Sequence, residues 1–101
     1  MSQNVISVEG YFPVPGVTHA NETVDGSVGT LAALHADTRL VMISVTADIT
    51  ASFDGVDPVV GGHGHPYVVG DVLHMNEVMA KAMKWISAGT GVMAVTELER
   101  I

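Results

Sequence analysis

Apolar and polar side chains alternate along short segments of the chain from Thr30 onward. In residues 39–46, the apolar residues Val41, Ile43 and Val45 recur at every second position. Because successive side chains of a β-strand point to opposite faces of a sheet, this alternation predicts a strand with one buried face. The same period recurs in four later segments, residues 49–54, 71–76, 81–87 and 92–98.

Glycine-rich turns separate these segments. Residues 88–91 contain two glycines and predict a hairpin between the last two strands. Residues 76–83 break the alternation: Asn76 is a residue type that caps helices, and one short helical turn is predicted after it. The apolar stripe of that turn would consist of Val78, Met79, Ala82 and Met83. The whole pattern predicts an all-β fold, a small β-sandwich or barrel, with at most one short helical turn.

The first 29 residues lack this regularity. Pro13 and Pro15 exclude a central strand around them, because proline has no backbone N–H to donate to a neighbouring strand. We therefore predict an N-terminal arm over residues 1–29, irregular except for one short strand near residues 5–8. The β-sandwich domain would then occupy residues 30–101.

Two aromatic residues, Tyr11 and Phe12, lie within this predicted arm, and residues 21–29 are polar and turn-prone. An arm that extends from the domain would use the two aromatic side chains to clamp a neighbouring subunit. An arm that folds back would place them on its own sheet. The sequence leaves both alternatives open.

The composition favours a subunit of an assembly. A chain of 101 residues forms one domain, and 48% of its residues are hydrophobic while only 15% are charged. Yet no apolar run approaches the roughly 18 residues of a membrane span, and the N-terminus has no leader-type apolar block, so we predict no membrane association. Excess apolar surface is then buried against copies or partners, and we predict a homotrimer.

The charge narrows the choice of partner. The formal net charge is −7, with eleven acidic residues and four lysines or arginines. Binding to nucleic acid requires clustered basic residues that neutralise phosphates, so we predict no direct nucleic-acid contact. The absence of cysteine excludes disulfides and thiolate metal sites.

The histidine pair His63-Gly64-His65 has the spacing of metal ligands, because residues two apart on a strand point to the same side. Small cupin-type barrels use such a pair, followed within a few residues by a carboxylate. Here the first carboxylate after His65 is that of Asp71. We therefore favour a loop or interface role for these histidines, with no metal or other cofactor. The alternative is a cupin-like metal site at His63, His65 and His74.

Other chemistry is sparse. No serine lies in a nucleophile-elbow sequence, and there is no cysteine nucleophile, so we predict no catalytic residues and no enzymatic activity. Asp54 and Asp57 flank Gly55 and suit a turn better than paired acid–base work. Trp85, on an alternating segment, is expected in the core.

A series of turn motifs connects these segments. They are Phe53-Asp54-Gly55 with Pro58, Gly64-His65-Pro66, Gly70-Asp71 with Leu73, and the run from Trp85 to Gly91. In this arrangement, residues 40–99 resemble small structural proteins of tailed-phage particles. The resemblance implies a virion component, commonly a head or tail accessory protein built on a β-sandwich.

From this resemblance we predict a non-enzymatic capsid decoration (cement) protein that binds and stabilises the shell of the major capsid protein. It would be made in the host cytoplasm and located in the virion. The alternatives are a tail or head–tail accessory protein and, from another class, the cupin-like metal protein. The predicted interface residues are Tyr11, Phe12, Pro13, Pro15, His63 and His65.

Overall fold

A computed structural model of the chain describes residues 10–13 and 19–100. These residues form nine strands and one short helix. In chain order they are β1 Tyr11–Pro13, β2 His19–Val24, β3 Gly29–Thr30, β4 Leu40–Val45, β5 Ile49–Ser52, β6 His65–Tyr67, β7 Val72–Asn76, α1 Glu77–Ala82, β8 Lys84–Ile86 and β9 Gly91–Arg100.

The strands form two antiparallel sheets. In the first sheet, β1 and β2 pair with the same edge of the ten-residue strand β9, β4 pairs with its other edge, and β7 pairs with β4. The second sheet has the order β3-β8-β5-β6. Most connections cross from one sheet to the other, as between β4 and β5, so the fold depends on contacts between distant parts of the chain.

The core lies between the two sheets. Val41 and Ile43 of β4 and Val95 of β9 belong to the same buried cluster as Ala51 and Trp85 of the second sheet. This arrangement confirms the predicted all-β fold, and the burial of alternate residues confirms the strand predicted over residues 39–46.

Trp85 is the largest fully buried side chain, with 1% of its surface exposed, as the sequence predicts. Its indole Nε1 donates a hydrogen bond to the backbone oxygen of Thr23 (3.1 Å), which ties β8 to the end of β2. Gly29 pairs with Trp85 across the second sheet. A Cβ atom at Gly29 would lie 2.6 Å from the indole ring, so the ring occupies the space that a side chain would need.

The N-terminal part of the chain is more regular than predicted. The strand expected near residues 5–8 lies outside the described residues. Residues 21–24 are not the predicted turn-prone stretch but belong to β2, which pairs with β9 along six residues. Val24 is fully buried. Pairing and burial against β9 therefore outweigh the low strand propensity of this polar segment.

The predicted boundary between residues 29 and 30 does not separate an arm from the fold. It falls inside β3, which spans Gly29–Thr30 and pairs with β8. Strands β1 and β2 precede this boundary and both pair with β9. The described part of residues 1–29 therefore contributes three strands to the two sheets.

The hairpin predicted at residues 88–91 is wrong, because β8 and β9 belong to different sheets. Two hydrogen bonds of Ser87 fix this crossing. Its N–H donates to the backbone oxygen of Asp25 (2.8 Å), and its hydroxyl donates to the backbone oxygen of Asp48. Gly91 packs so closely that a Cβ atom there would lie 2.7 Å from Oγ1 of Thr46.

The helix begins as predicted. Oδ1 of Asn76 accepts a hydrogen bond from the N–H of Met79 (2.8 Å), which caps α1. The predicted apolar stripe is wrong in part, since Val78 and Met79 are 68% and 44% exposed. The helix has only six residues and turns Ala80 to the core instead.

The strand predicted over residues 81–87 is shorter than expected. Lys81 belongs to α1, and β8 spans only Lys84–Ile86. Met83 between them is fully buried, and its N–H donates to the oxygen of Ala80 (3.2 Å), which closes the last turn. The helix that Asn76 caps therefore extends into residues 81–82, although the alternation of residues 81–87 alone indicated a strand.

Glu97 is a buried acidic residue on the core side of β9, opposite Val41. Its Oε1 accepts hydrogen bonds from the N–H of His35 (2.8 Å) and from the hydroxyl of Thr38 (2.6 Å). These bonds attach the loop before β4 to β9. The alternation of residues 92–98 places Glu97 on the same face as Met93, which is the observed face, but it gives no sign of these partners.

We expect Glu97→Ala to lower the free energy of unfolding by about 1.5–3 kcal/mol, because it leaves the buried hydroxyl of Thr38 and the part-buried N–H of His35 without their acceptor. Glu97→Gln keeps a carbonyl oxygen and should lose less. Urea denaturation of both variants measures the difference. Equal stability of the alanine variant and the unchanged protein would show that the two bonds do not hold the loop.

Candidate functional site

The first motif of the resemblance, Phe53-Asp54-Gly55 with Pro58, and the start of the second, at Gly64, lie in one long loop, residues 53–64. This loop joins the paired strands β5 and β6 of the second sheet. We call it the histidine loop. It carries Asp54 near its start and His63 near its end. The strands on either side fix where the loop begins and ends, since Ala51 lies opposite His65 in the register.

Hydrogen bonds between its own residues hold the histidine loop. Oδ1 of Asp54 accepts from the N–H of Val56 (3.0 Å), and Oδ2 of Asp54 lies 3.0 Å from Nε2 of His63. The N–H of Val59 donates to the oxygen of His63, and the N–H of Gly62 donates to the oxygen of Val59, both at 2.8 Å. The loop is therefore a defined structure despite its exposure.

The histidine loop also packs on the outer side of β5. Thr50 and Ser52, predicted to face solvent on a half-buried strand, are 8% and 5% exposed. The hydroxyl of Ser52 donates to the oxygen of Val56, and Gly64 lies against the methyl group of Thr50. The prediction of a half-buried β5 is thus wrong, because the loop following the strand covers its second face.

Lys84 joins the histidine loop to β8. Its Nζ lies 3.0 Å from Oδ1 of Asp57 and 3.2 Å from the oxygen of Gly55. Asp57 is exposed, so water screens this ion pair and its contribution to stability is small. Its geometric effect is to connect the turn at Gly55 to the middle of the second sheet. Pro58, next in the chain, is fully buried.

The hydrogen bond from the N–H of Val56 is the main cause that holds the pKa of Asp54 below its ordinary value, and the hydrogen bond with His63 lowers it further. The charged carboxylate is therefore the form that closes the loop. Since the folded pKa is the lower one, this contribution is present above the ordinary pKa of aspartate. It is lost as the pH falls through the folded value.

We accordingly expect the histidine loop to open in acid before the rest of the domain unfolds. Limited proteolysis or amide hydrogen exchange at decreasing pH should show faster reaction within residues 53–64. Asp54→Asn keeps an acceptor for Val56 but cannot titrate, and should remove the pH dependence. Identical acid behaviour of that variant would contradict the role of Asp54.

Five exposed valines lie in the histidine loop and in the turn after β6, and we call them the valine surface; two of them, Val60 and Val68, line one groove. Each has between 46% and 55% of its surface exposed: Val56, Val59, Val60, Val68 and Val69. An open groove of about 310 Å³ runs beside Val60 and is lined further by Pro66 and Ile86. Large apolar side chains exposed together typically mark a surface that contacts another macromolecule.

The second part of the valine surface lies in the turn after β6, which is also fixed. The N–H of Val68 donates to Oδ2 of Asp71 (3.0 Å), and the N–H of Asp71 donates back to the oxygen of Val68 (3.0 Å). The N–H of Val69 donates to Oδ1 of Asp48 (2.9 Å). Asp71 of the motif and Asp48, which precedes β5, thus hold the pair Val68-Val69 in place.

The structure separates the three histidines of the alternative metal site. His63 lies in the histidine loop beside Asp54, and His65 lies on β6 with its ring 4.9 Å from that of Tyr67. His74 lies on β7 of the other sheet. Across residues 10–13 and 19–100, no three His, Cys, Asp or Glu side chains are placed to share a metal ion.

The predicted N-terminal interface residues lie at the edge of the first sheet, away from the histidine loop. Tyr11, Phe12 and Pro13 form β1, whose backbone pairs with β9 of the same chain. Of the two alternatives for this segment, an arm that clamps a neighbour or an arm that folds back, the backbone of residues 11–13 follows the second. Tyr11 is half-buried, and Pro15 lies outside the described residues. Among the predicted interface residues in the described part of the chain, His63 lies near the end of the histidine loop and His65 begins β6, while residues 11–13 share β1.

Sequence reasoning missed the valine surface. Its signal was present as the doublets Val59-Val60 and Val68-Val69, which lie in segments otherwise rich in glycine, proline and aspartate. Two consecutive apolar side chains in a turn can be buried only if the turn itself packs against the rest of the domain. Here both loops are exposed, so the doublets remain at the surface.

The exposed valines can bind another macromolecule through apolar contacts. The aspartates around them accept hydrogen bonds from backbone N–H groups and so fix the conformation of the loops. No helix in the described part of the chain is long and apolar enough to cross a bilayer. Comparisons with protein-family models, with curated proteins and with solved structures found no match.

Proposed function

We propose that this chain is a non-enzymatic structural subunit of a tailed-phage particle, and specifically a capsid decoration protein that binds the shell of the major capsid protein. The observation that supports this function best is the valine surface on fixed loops. It coincides with residues 53–71, which contain most of the turn motifs on which the resemblance to phage structural proteins rests.

A fixed apolar loop suits binding to a large, rigid partner. Ordering a mobile loop on binding costs conformational entropy, and the hydrogen bonds of Asp54, Asp71 and Asp48 reduce that cost in advance. Burying a valine side chain contributes roughly 1.5–3 kcal/mol at most, so several valines buried against the shell together contribute several kcal/mol.

The site offers little to a catalytic function. The polar groups in and beside the histidine loop bond mainly to its backbone. Asp54 accepts a hydrogen bond from the N–H of Val56, and the hydroxyl of Ser52 on β5 donates to the backbone oxygen of Val56. Such groups act as turn formers. A tail or head–tail accessory protein would use the same kind of surface, and the identity of the bound particle component distinguishes the two roles.

The test is co-sedimentation of the purified protein with shells assembled from the major capsid protein of the same genome. We expect Val59→Glu with Val60→Glu to weaken binding at least tenfold, because both charges enter the contact. The control is Val78→Glu. Val78 lies on α1, outside the histidine loop, and its side chain is 68% exposed. This variant should bind normally.

Two results would contradict the proposal. One is a wild-type protein that does not sediment with the shells at all. The other is equal binding by the double loop variant and the α1 control. Sedimentation with tail or connector assemblies instead of shells would select the accessory role.

A further inference from the structure

The groove beside Val60 combines apolar lining with a carboxylate, and we call it the Asp48 groove. Its apolar lining residues are Ile49, Val60, Pro66, Tyr67, Val68 and Ile86. Asp48 lines it as well and is exposed. Its volume of about 310 Å³ is at the lower end of the roughly 300–1,000 Å³ of ligand pockets, so it suits one side chain of a partner better than a whole cofactor.

Asp71 adds a second carboxylate next to this groove. Oδ2 of Asp71 accepts a hydrogen bond from the N–H of the lining residue Val68 (3.0 Å), and Oδ1 of Asp48 accepts one from the N–H of Val69 (2.9 Å). Neither carboxylate forms an ion pair with a residue of the described ranges 10–13 and 19–100. Each keeps one oxygen, Oδ1 of Asp71 and Oδ2 of Asp48, with which it can accept a hydrogen bond from a cation.

The sequence around the groove is acidic. It has no lysine or arginine between Arg39 and Lys81, and this interval contains both aspartates and all of the lining residues except those of 86–88. Lys84, on the neighbouring strand β8, pairs with Asp57 instead (3.0 Å). Uncompensated negative charge attracts a positively charged partner and repels an acidic one, which includes a second copy of this chain.

We propose that the Asp48 groove receives an arginine side chain of the partner. An arginine joins an apolar stem to a charged head, as the groove joins apolar lining to a carboxylate. The stem would lie along Ile49 and Ile86, and the guanidinium would donate hydrogen bonds to Asp48. Arginine is favoured over lysine because Tyr67 also lines the groove, and a planar guanidinium can stack on an aromatic ring while it bonds a carboxylate. The identity of the partner, the major capsid protein, rests on the proposed function, whereas the groove can be tested without a shell.

Titration of the ¹⁵N-labelled full chain, followed by nuclear magnetic resonance, tests this site with two short peptides. One is acetyl-Val-Arg-Val-amide, and the other has citrulline, a neutral analogue of arginine with nearly the same shape, at the central position. The arginine peptide should shift the amide resonances of Val68 and Val69 in a saturable way. The citrulline peptide should bind about fivefold more weakly or worse, because it has no charge to pair with Asp48. Added salt should weaken only the arginine peptide.

Asp48→Asn removes the charge but keeps a side-chain oxygen for the N–H of Val69, so the turn should stay in place. This variant should bind the arginine peptide about fivefold more weakly or worse, and it should also bind shells more weakly. Asp37→Asn is the matched control, because it makes the same change of charge at another exposed aspartate. Asp37 precedes β4 and Asp48 follows it, so the two lie at opposite ends of that strand. The control should bind both the peptide and the shells normally.

Equal binding of the two peptides, or equal binding of the arginine peptide by the two variants, would overturn the arginine site even if the wild-type chain sediments with shells. Binding of the arginine peptide that Asp48→Asn weakens, without sedimentation on shells, would support the site and count against the proposed function alone. Self-association of the free protein that Lys81→Ala abolishes would assign the groove to a second copy, because Lys81 is an exposed cation on α1, and would contradict a partner arginine.

Discussion

Replacing Trp85 with alanine is expected to lower the free energy of unfolding by about 3–5 kcal/mol. The indole is 1% exposed, lies over Gly29 and belongs to the cluster that joins the two sheets. Removing it leaves a cavity that strands fixed on both sides cannot close. Domains of this size are stable by only about 5–15 kcal/mol, so much of the stability would be lost.

Trp85→Phe separates packing from hydrogen bonding. It retains an aromatic ring but leaves the backbone oxygen of Thr23 without its indole donor, and should cost less than the alanine variant. Val78→Ala, at a residue 68% exposed, should change stability by at most about 0.5 kcal/mol. Denaturation midpoints measure all three. A Trp85→Ala protein as stable as Val78→Ala would contradict the central position of the indole.

Gly64→Ala is expected to lower the free energy of unfolding by about 2–5 kcal/mol, from two separate causes. The backbone of Gly64 has φ = +119°, which side-chain-bearing residues rarely adopt. A Cβ atom would also lie 2.7 Å from the methyl carbon of Thr50 and 3.0 Å from the oxygen of Ala51. The histidine loop would have to lift from β5.

Gly61→Ala is the matched control for this prediction. Gly61 has φ = +72°, but a Cβ atom there meets nothing within 4 Å. Gly61→Ala should therefore lower the free energy of unfolding by about 1–3 kcal/mol at most, from backbone strain alone. If the two alanine variants were equally stable, the loop would not pack on β5 as described. The glycine between His63 and His65 is thus explained by a close approach of the backbone, without reference to ligand spacing.

Local sequence patterns predicted the strand β4 and the start of the helix. The period of two in β4 identified Val41, Ile43 and Val45 as buried, because a strand between two neighbours shows its buried face directly in the sequence. The cap at Asn76 was equally local, since it depends on one side chain and a backbone N–H three residues later.

Patterns could not predict which strands share a sheet. The turn before Gly91 has the composition of a hairpin, yet β8 and β9 lie in different sheets. That outcome depends on partners far along the chain, such as Asp25 and Asp48 for Ser87. The strand β2 was missed for the same reason, because its pairing with β9 is not encoded in its own polar residues.

The sequence singled out the segment that forms the histidine loop, but not the exposed valines on it. The motif aspartates indicated turns, and the structure shows Asp54 and Asp71 in those roles. The sequence drew attention to His63 and His65 because imidazoles are chemically distinctive. Valines are not chemically distinctive, and their exposure is known only once the loops around them are placed.

The proposed role in a phage particle is tested most directly by electron cryomicroscopy of purified particles from the phage or prophage that encodes the chain. We expect density for a small two-sheet domain on the outside of the capsid shell, with the valine surface of residues 56–60 and 68–69 against the major capsid protein. Particles that lack the chain altogether, confirmed by mass spectrometry of their proteins, would contradict the proposal.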